Sequence, residues 1–288
     1  GMFLNPVDAV LIHRGISHSL LLFLLVSPLL GWLISKIEKQ KISFFTATNM
    51  VFWTFLTHVL LDMFTSWGTQ ILWPLEHRFA LKTIFVIDPL YTLPLLIALV
   101  IVWKTKSESL RYKYIKRGLV ISSSYLLLSC FIKLYAVTQF EKALTKQGIQ
   151  YAEIIVKPTA FNLILWNANV ATTDNYLLSD YSLFDTQPIS FVAYSKNNAL
   201  EKRLAGNTDF EKLKKASEGW YIISQKEGNL YFNDLRFGLL NDNSTKPQFA
   251  FSYQFVPKNS GLHAIEVSKS KKDGKRLLKK IFTRLKGN

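Results

Sequence analysis

The apolar run HSLLLFLLVSPLLGWLIS at His18–Ser35 decides the fold, because its length is close to what a membrane-spanning helix needs. Three further runs of similar character follow at about Phe44–Thr65, Ile84–Trp103 and Leu119–Val137. After residue 139 the sequence has no comparable run. We therefore predict a membrane-embedded, all-α helical bundle of about four spans.

Composition supports a membrane protein over a soluble one. Only 19% of the 288 residues are charged, whereas a soluble domain has about 25%. The formal net charge of +15 would suggest nucleic-acid binding in a soluble protein. Here the basic residues lie beside apolar runs, so we interpret them as topology signals and predict no nucleic-acid partner. The single cysteine, Cys130, excludes an internal disulfide and a multi-cysteine zinc site.

The remainder of the chain has short alternating segments, including Ile189–Tyr194 and Tyr221–Ser224, separated by Asn, Asp and Gly. Asn162–Asp185 has a hairpin pattern, and Phe249–Phe255 is a further predicted strand. We therefore predict a transmembrane domain over residues 1–138 and a soluble, strand-rich α+β domain over residues 139–288. Its basic tail, Ser268–Asn288, predicts an amphipathic helix that either lies on anionic lipid or is solvated.

The loops predict the orientation of the spans. The first loop, Lys36–Lys41, and the third, Lys104–Arg117, are rich in lysine and arginine, whereas the second has only Arg78 and Lys82. By the positive-inside rule the first and third loops are cytoplasmic. The second loop and the C-terminal domain are then outside. We expect a multi-pass protein of the inner membrane with a periplasmic C-terminal domain.

Polar residues gather at the predicted outer edge of the spans. They are His13, Arg14, His18, His58, Asp62 and Asp88. The i, i+4 spacing of His58 and Asp62 puts both on one helical face. An unpaired aspartate at membrane depth is costly, and a divalent cation is a strong partner for it. Imidazole and carboxylate ligands suit zinc, manganese or non-haem iron.

Several of these residues have alternative interpretations. His58 and Asp62 could form a structural hydrogen bond that joins helices. Asp88 precedes Pro89 and could be only a helix N-cap, although it is also a candidate site residue. Arg14 could neutralise a phosphate or carboxylate of a substrate.

The segment His13-Arg-Gly-Ile-Ser-His-Ser, followed by Thr57-His58 and Asp62, resembles the YdjM-like family of inner-membrane, metal-dependent hydrolases, some of them LexA-regulated. The similarity extends from about Asp8 to Trp103. It implies a metal site built from His13, His18, His58 and Asp62, with Arg14 nearby, and a distant relationship to zinc-dependent phospholipase C.

Members of that family usually carry an Asp-x-x-Thr-His motif and a Pro-Asp-x-Asp segment before His-Arg-Gly. This sequence begins just upstream of His13 and has neither. We expect a truncated start or a missed upstream methionine, rather than loss of these ligands.

The predicted function is metal-dependent hydrolysis at the outer membrane–water interface, acting on a phosphoester of a lipid or envelope component. The cofactor is a divalent metal, with zinc favoured over manganese or iron. Asp62 or Asp88 would act as general base, Arg14 would bind the substrate anion, and membrane lipid is the expected partner. The alternative is a non-catalytic membrane scaffold whose outer domain binds a partner.

Overall fold

The computed structural model describes residues 7–8, 14–240, 247–258 and 261–288. This part of the chain divides into two compact units. One comprises Ile12–Val86, and the other comprises Gly1–Leu11 together with Ile87–Asn288. The predicted ligand His13 lies outside the described residues.

Helices α1 (Leu20–Ile37) and α2 (Phe44–Met63) form the first unit as a hairpin. An N-cap serine precedes each helix, Ser19 before α1 and Ser43 before α2. Its hydroxyl accepts a hydrogen bond from the backbone N–H three residues further on. Large apolar side chains such as Leu25 and Leu29 remain exposed, as expected of a surface that faces lipid.

Small residues bring the two helices of the hairpin close together. The buried residues Ser27, Gly31 and Ser35 recur every four positions on α1. A Cβ added at Gly31 would lie 2.7 Å from Cα of Thr48 on α2. Since lipid supplies no hydrophobic force between helices, such close backbone packing is the main source of their association.

The second unit begins with helices α3 (Pro89–Lys104) and α4 (Glu108–Lys146). Close approach occurs here too, because a Cβ on Gly118 of α4 would lie 2.6 Å from Cβ of Ala98 on α3. Ser122 also donates a 2.7 Å hydrogen bond to the backbone carbonyl of Tyr91.

Among the described residues, α1, α2 and α4 are long and apolar enough to cross a membrane, and α3 is a shorter apolar helix of 16 residues. The predicted helical bundle of about four spans is thus confirmed as one of three to four spans. The basic segment that we predicted as the third loop is mostly helical, because α4 begins at Glu108. With 39 residues, α4 is about 58 Å long, nearly twice the thickness of a hydrocarbon core.

The C-terminal region contains two four-stranded antiparallel sheets, so the predicted strand-rich region is confirmed. The first sheet consists of strands β1–β4 in sequential order: β1 (Glu153–Pro158), β2 (Leu165–Ala171), β3 (Asn175–Ser182) and β4 (Val192–Ser195). Strands β2 and β3 form the predicted hairpin, in which Ala171 pairs with Tyr176 across the turn.

Two short helices, α5 (Asn198–Lys202) and α6 (Thr208–Ala216), lead from the first sheet to the second. The second sheet also has sequential order: β5 (Tyr221–Lys226), β6 (Asn229–Leu239), β7 (Phe249–Lys258) and β8 (Gly261–Glu266). Helix α7 (Lys271–Arg284) follows it.

The two sheets share a core, in which Ile155 and Leu178 of the first pack with Ile222 and Leu235 of the second. The amide of Asn169 adds a 2.7 Å hydrogen bond to the carbonyl of Leu235. A separate aromatic cluster lies between the second sheet and α6: Phe210, Tyr221, Phe232, Tyr253 and Phe255. The predicted division at residue 138 falls inside α4, which continues to Lys146 and contacts β1.

Candidate metal site in the helical hairpin

The candidate site lies at the end of the hairpin away from its basic loop. His18 closes a 3₁₀ turn, Ile16–His18, just before α1, and His58 and Asp62 occupy the last turns of α2. The loop after α2 holds the segment before α1 in place through backbone hydrogen bonds. Gln70 N–H donates to the carbonyl of Arg14 at 3.1 Å, and Leu20 N–H donates to that of Ile71 at 2.9 Å.

Three potential ligand atoms converge there. Nε2 of His18 lies 3.3 Å from Oδ2 of Asp62, and Nε2 of His58 lies 3.8 Å from the same oxygen. One ligand atom from each of the three residues lies within 4.8 Å of the others. Zinc–ligand distances near 2 Å put the ligand atoms of a tetrahedral site about 3.3 Å apart, so the observed spacing suits a bound cation.

The two carboxylate oxygens of Asp62 have different surroundings. Oδ1 lies 3.2 Å from Nη2 of Arg14. Oδ2 is buried, has no well-formed hydrogen bond, and faces Nε2 of His18 and Nε2 of His58. A buried anionic oxygen without a well-formed hydrogen bond is costly, and a cation placed between it and the two imidazoles would remove that cost. This unsatisfied oxygen is the observation on which the fit of a metal rests.

Arg14 and Thr65 hold Asp62 in this orientation. The Arg14 guanidinium is buried and donates through Nη1 to Oγ1 of Thr65 at 2.6 Å. Thr65 in turn donates to the backbone carbonyl of Asp62 at 2.8 Å. Burial lowers the pKa of Arg14 and the charge of Asp62 opposes this shift, but an arginine side chain stays charged at neutral pH.

The site is open to its surroundings on the histidine side. The His58 side chain is 62% exposed and that of His18 is 21% exposed. The Ser17 hydroxyl lies 2.9 Å from Nδ1 of His18. If this hydroxyl accepts a hydrogen bond from Nδ1–H, Nε2 carries the lone pair, and this is the tautomer that a metal ligand bound through Nε2 requires.

Two of the predicted site residues have other neighbours. Asp88 belongs to the second compact unit, where Oδ1 caps α3 by accepting from Leu90 N–H at 3.0 Å. Its Oδ2 accepts from the Tyr125 hydroxyl at 2.9 Å. The contact with Leu90 is the one expected of the N-cap alternative. Arg14 contacts Asp62 and Thr65, and its role as an anion binder stays a prediction.

The sequence did not identify Thr65 and Ser17 as parts of the site. Thr65 follows Asp62 by three residues and looks like an ordinary helix-end hydroxyl, and its contact with Arg14 joins residues 51 apart. Ser17 was visible only as a neighbour of His18, a signal too common to single it out.

Three apolar helices of spanning length and a buried polar site at one end of a hairpin define an integral, helical membrane protein. Residues 1–140 match the model of the YdjM inner membrane protein family, which confirms the predicted resemblance over this part of the chain. The match includes α1, α2, α3 and most of α4, hence His18, His58 and Asp62. No curated protein and no solved structure matches the chain significantly.

Proposed function

We propose that the protein is a membrane-bound, metal-dependent hydrolase. His18, His58 and Asp62 would hold a divalent cation, zinc in the first place and manganese or iron otherwise. The observation that carries the proposal is the buried, unsatisfied Oδ2 of Asp62 with two imidazole nitrogens 3.3 and 3.8 Å away. His13, which is near His18 in sequence, stays a predicted fourth ligand.

The chemistry follows from the ligand set. A divalent cation held by two imidazoles and one carboxylate keeps open positions, lowers the pKa of water and polarises a phosphoryl oxygen. Arg14 fixes Oδ1 of Asp62, so Oδ2 stays directed toward the imidazoles. The exposed His58 leaves an approach to the site from its open side.

The position of the site supports a substrate at the membrane surface. Helix α1 starts two residues after His18, and α2 ends one residue after Asp62, so the ligands lie where the apolar hairpin ends. The opposite end carries the basic loop Lys36–Lys41, which the positive-inside rule places in the cytoplasm. We therefore propose that the site acts at the outer surface, on a phosphoester of a lipid or envelope component, and that the C-terminal domain is periplasmic.

Elemental analysis of the detergent-purified chain tests the metal site. The protein is stripped with a chelator, reloaded with zinc, manganese or iron(II), and compared with His58→Ala and with His77→Ala. His77 is an exposed histidine whose ring contacts Phe79, so its variant controls for loss of an imidazole elsewhere. We expect about one equivalent of metal in the wild type and in His77→Ala, and a large loss in His58→Ala.

Hydrolysis is then assayed on the loaded protein with phosphomonoester, phosphodiester and phospholipid substrates. Metal-dependent turnover that His58→Ala abolishes and His77→Ala retains would support the proposal. A folded wild type that neither reloads with metal nor changes its Tm on chelation would refute the metal site. A loaded protein without turnover on any of these substrates would refute the hydrolase.

A non-catalytic scaffold is the second candidate, and one observation favours it. The Arg14–Asp62 contact ties the segment before α1 to the end of α2, which a purely structural role would also require. The same experiment separates the two candidates, because a scaffold would keep its Tm unchanged when metal is added or removed.

A further inference from the structure

Helix α7 carries an exposed face that the proposed hydrolase does not use. Four exposed residues of α7 fall at spacings of three and four: Lys275, Leu278, Lys279 and Phe282. With 3.6 residues per turn these four lie within an arc of about 100°. The exposed Lys286 follows in the turn after the helix. The Phe282 side chain is 63% exposed. We refer to these five residues as the basic face of α7.

The opposite side of α7 is fixed to the first sheet. Ile281 is buried, and Arg284 forms an ion pair with Asp185, which follows β3. The Ser182 hydroxyl donates to the carbonyl of Leu285 at 2.9 Å. These contacts hold one side of α7 on the first sheet. The basic face has no partner in the described part of the same unit.

The part of the first sheet that holds α7 packs against α4 close to the end of that helix's apolar run. Tyr181, next to Ser182 on β3, packs edge-on against Phe140 of α4 with ring centroids 5.9 Å apart. Burial and a hydrogen bond with Tyr135 of α4 raise the pKa of Tyr181. The apolar run ends at Val137, so Phe140 lies only about 5 Å further along the helix.

Phe184 is an exposed aromatic residue close to the end of α7. It follows β3, its side chain is 60% exposed, and its backbone carbonyl is close to Gly287 after α7. Exposed phenylalanines beside lysines are typical of helices that lie in the headgroup region, where rings enter the acyl boundary and ammonium groups meet phosphate. A helix surrounded only by water would have no need for exposed phenylalanines beside its lysines.

We infer that the basic face of α7 docks on the anionic headgroups of the bilayer that α4 crosses, and so fixes the C-terminal sheets against the membrane surface. The ligand class is anionic phospholipid, recognised by lysine charge and by insertion of Phe282 and Leu278. The positive charge of the basic face complements that surface, because three of its five residues are lysines and none is acidic.

The test places an environment-sensitive fluorophore beside the basic face of the full-length chain. Cys130 is replaced by serine, and the probe is attached through Thr283→Cys, an exposed position that borders the face without belonging to it. The protein is reconstituted in nanodiscs of phosphatidylcholine or of phosphatidylcholine with phosphatidylglycerol. The readouts are the emission maximum and quenching by lipids that carry a quencher.

We expect a blue-shifted, lipid-quenched probe in the anionic discs. The variant Lys275→Gln/Lys279→Gln/Lys286→Gln should weaken docking about fivefold per lysine, or about 100-fold in all. The control Lys202→Gln/Lys215→Gln/Lys226→Gln removes the same charge from exposed positions on α5, α6 and β5 and should dock as the wild type does. High salt should release the probe, since exposed charges are screened.

Three results would overturn the inference. They are absence of lipid quenching, equal quenching in neutral and anionic discs, and equal weakening by the two triple variants. Energy transfer between donor- and acceptor-labelled chains without lipid quenching would instead assign the face to a second copy of the protein. None of these readouts depends on metal or turnover, so the inference and the proposed hydrolase fail separately.

Discussion

The helical hairpin and the β-sheet region use burial in opposite ways. In the hairpin, leucine, phenylalanine and tryptophan side chains are exposed while Arg14, Asp62 and Thr65 are buried. In the sheets, aromatic side chains such as Phe232 are buried. What burial indicates therefore depends on the solvent: in lipid, a buried polar residue identifies a candidate site.

The sheet region contains a buried pair of charged residues, Arg236 and Asp234, that are hydrogen-bonded to each other. Arg236 is buried and makes two hydrogen bonds to Asp234, at 3.1 Å from Nε and 2.8 Å from Nη2. Burial alone would lower the pKa of Arg236, but Asp234 and Glu218 outweigh it and the pKa is raised. Both carboxylate oxygens of Asp234 accept hydrogen bonds from Arg236, whereas the buried Oδ2 of Asp62 faces two imidazoles without a well-formed hydrogen bond. The first arrangement is structural and the second leaves room for a ligand.

Two aromatic substitutions, one in each region, test the difference in solvent directly. Phe232→Ala should lower the free energy of unfolding of the sheet region by about 3–5 kcal/mol, because Phe232 is 1% exposed and stacks on Tyr221 at 4.8 Å. Trp53→Ala on α2 should change stability by less than about 0.5 kcal/mol, since that side chain is 57% exposed. Thermal unfolding in detergent measures both. Equal losses would contradict a lipid-facing α2.

Asp62→Ala tests the hairpin's buried charge pair. It leaves the Arg14 guanidinium buried without a counter-charge, and we expect a loss of about 3–5 kcal/mol in the metal-free protein. The measurement is Tm after chelation, which separates this effect from metal binding. The double variant Arg14→Met/Asp62→Leu should recover much of the loss, because no uncompensated charge remains. An unchanged Tm for the single variant would show that the pair contributes nothing.

Close helix packing predicts a smaller loss. Gly31→Ala should destabilise the hairpin by about 1–3 kcal/mol, because the new methyl group would meet the Thr48 backbone. Gly274→Ala on α7 is the matched control. Its Cβ has nothing within 4 Å, and alanine favours helix by up to about 1 kcal/mol. Equal effects of the two substitutions on Tm would refute close approach between α1 and α2.

Sequence reasoning predicted whatever depends on local periodicity. Apolar runs define the helices α1, α2 and α4, and the hairpin pattern over Asn162–Asp185 corresponds to β2 and β3. The i, i+4 rule put His58 and Asp62 on one face. Strands β1 and β8 were not predicted, because their short segments lack a distinctive pattern.

Contacts between residues that are far apart in the sequence could not be predicted in the same way. Arg14 meets Thr65 across 51 residues, and Tyr125 meets Asp88 across 37. No periodicity encodes such contacts, which depend on how helices and loops pack. Sequence therefore located the polar residues at one helix end, while the structure was needed to find which carboxylate oxygen of Asp62 faces the two imidazoles.

The smallest effect concerns the orientation of His18. Ser17→Ala removes the hydroxyl 2.9 Å from Nδ1 of His18 and should weaken metal affinity about tenfold, as loss of an outer hydrogen bond to a ligating histidine does. Ser17 is exposed, so the Tm of the metal-free protein should not change. Ser17→Thr keeps a hydroxyl and should restore affinity. Competition with a chelating dye measures all three proteins. Unchanged affinity in Ser17→Ala would remove Ser17 from the site, whereas a parallel fall in metal-free Tm would make its role structural, as in the sheets.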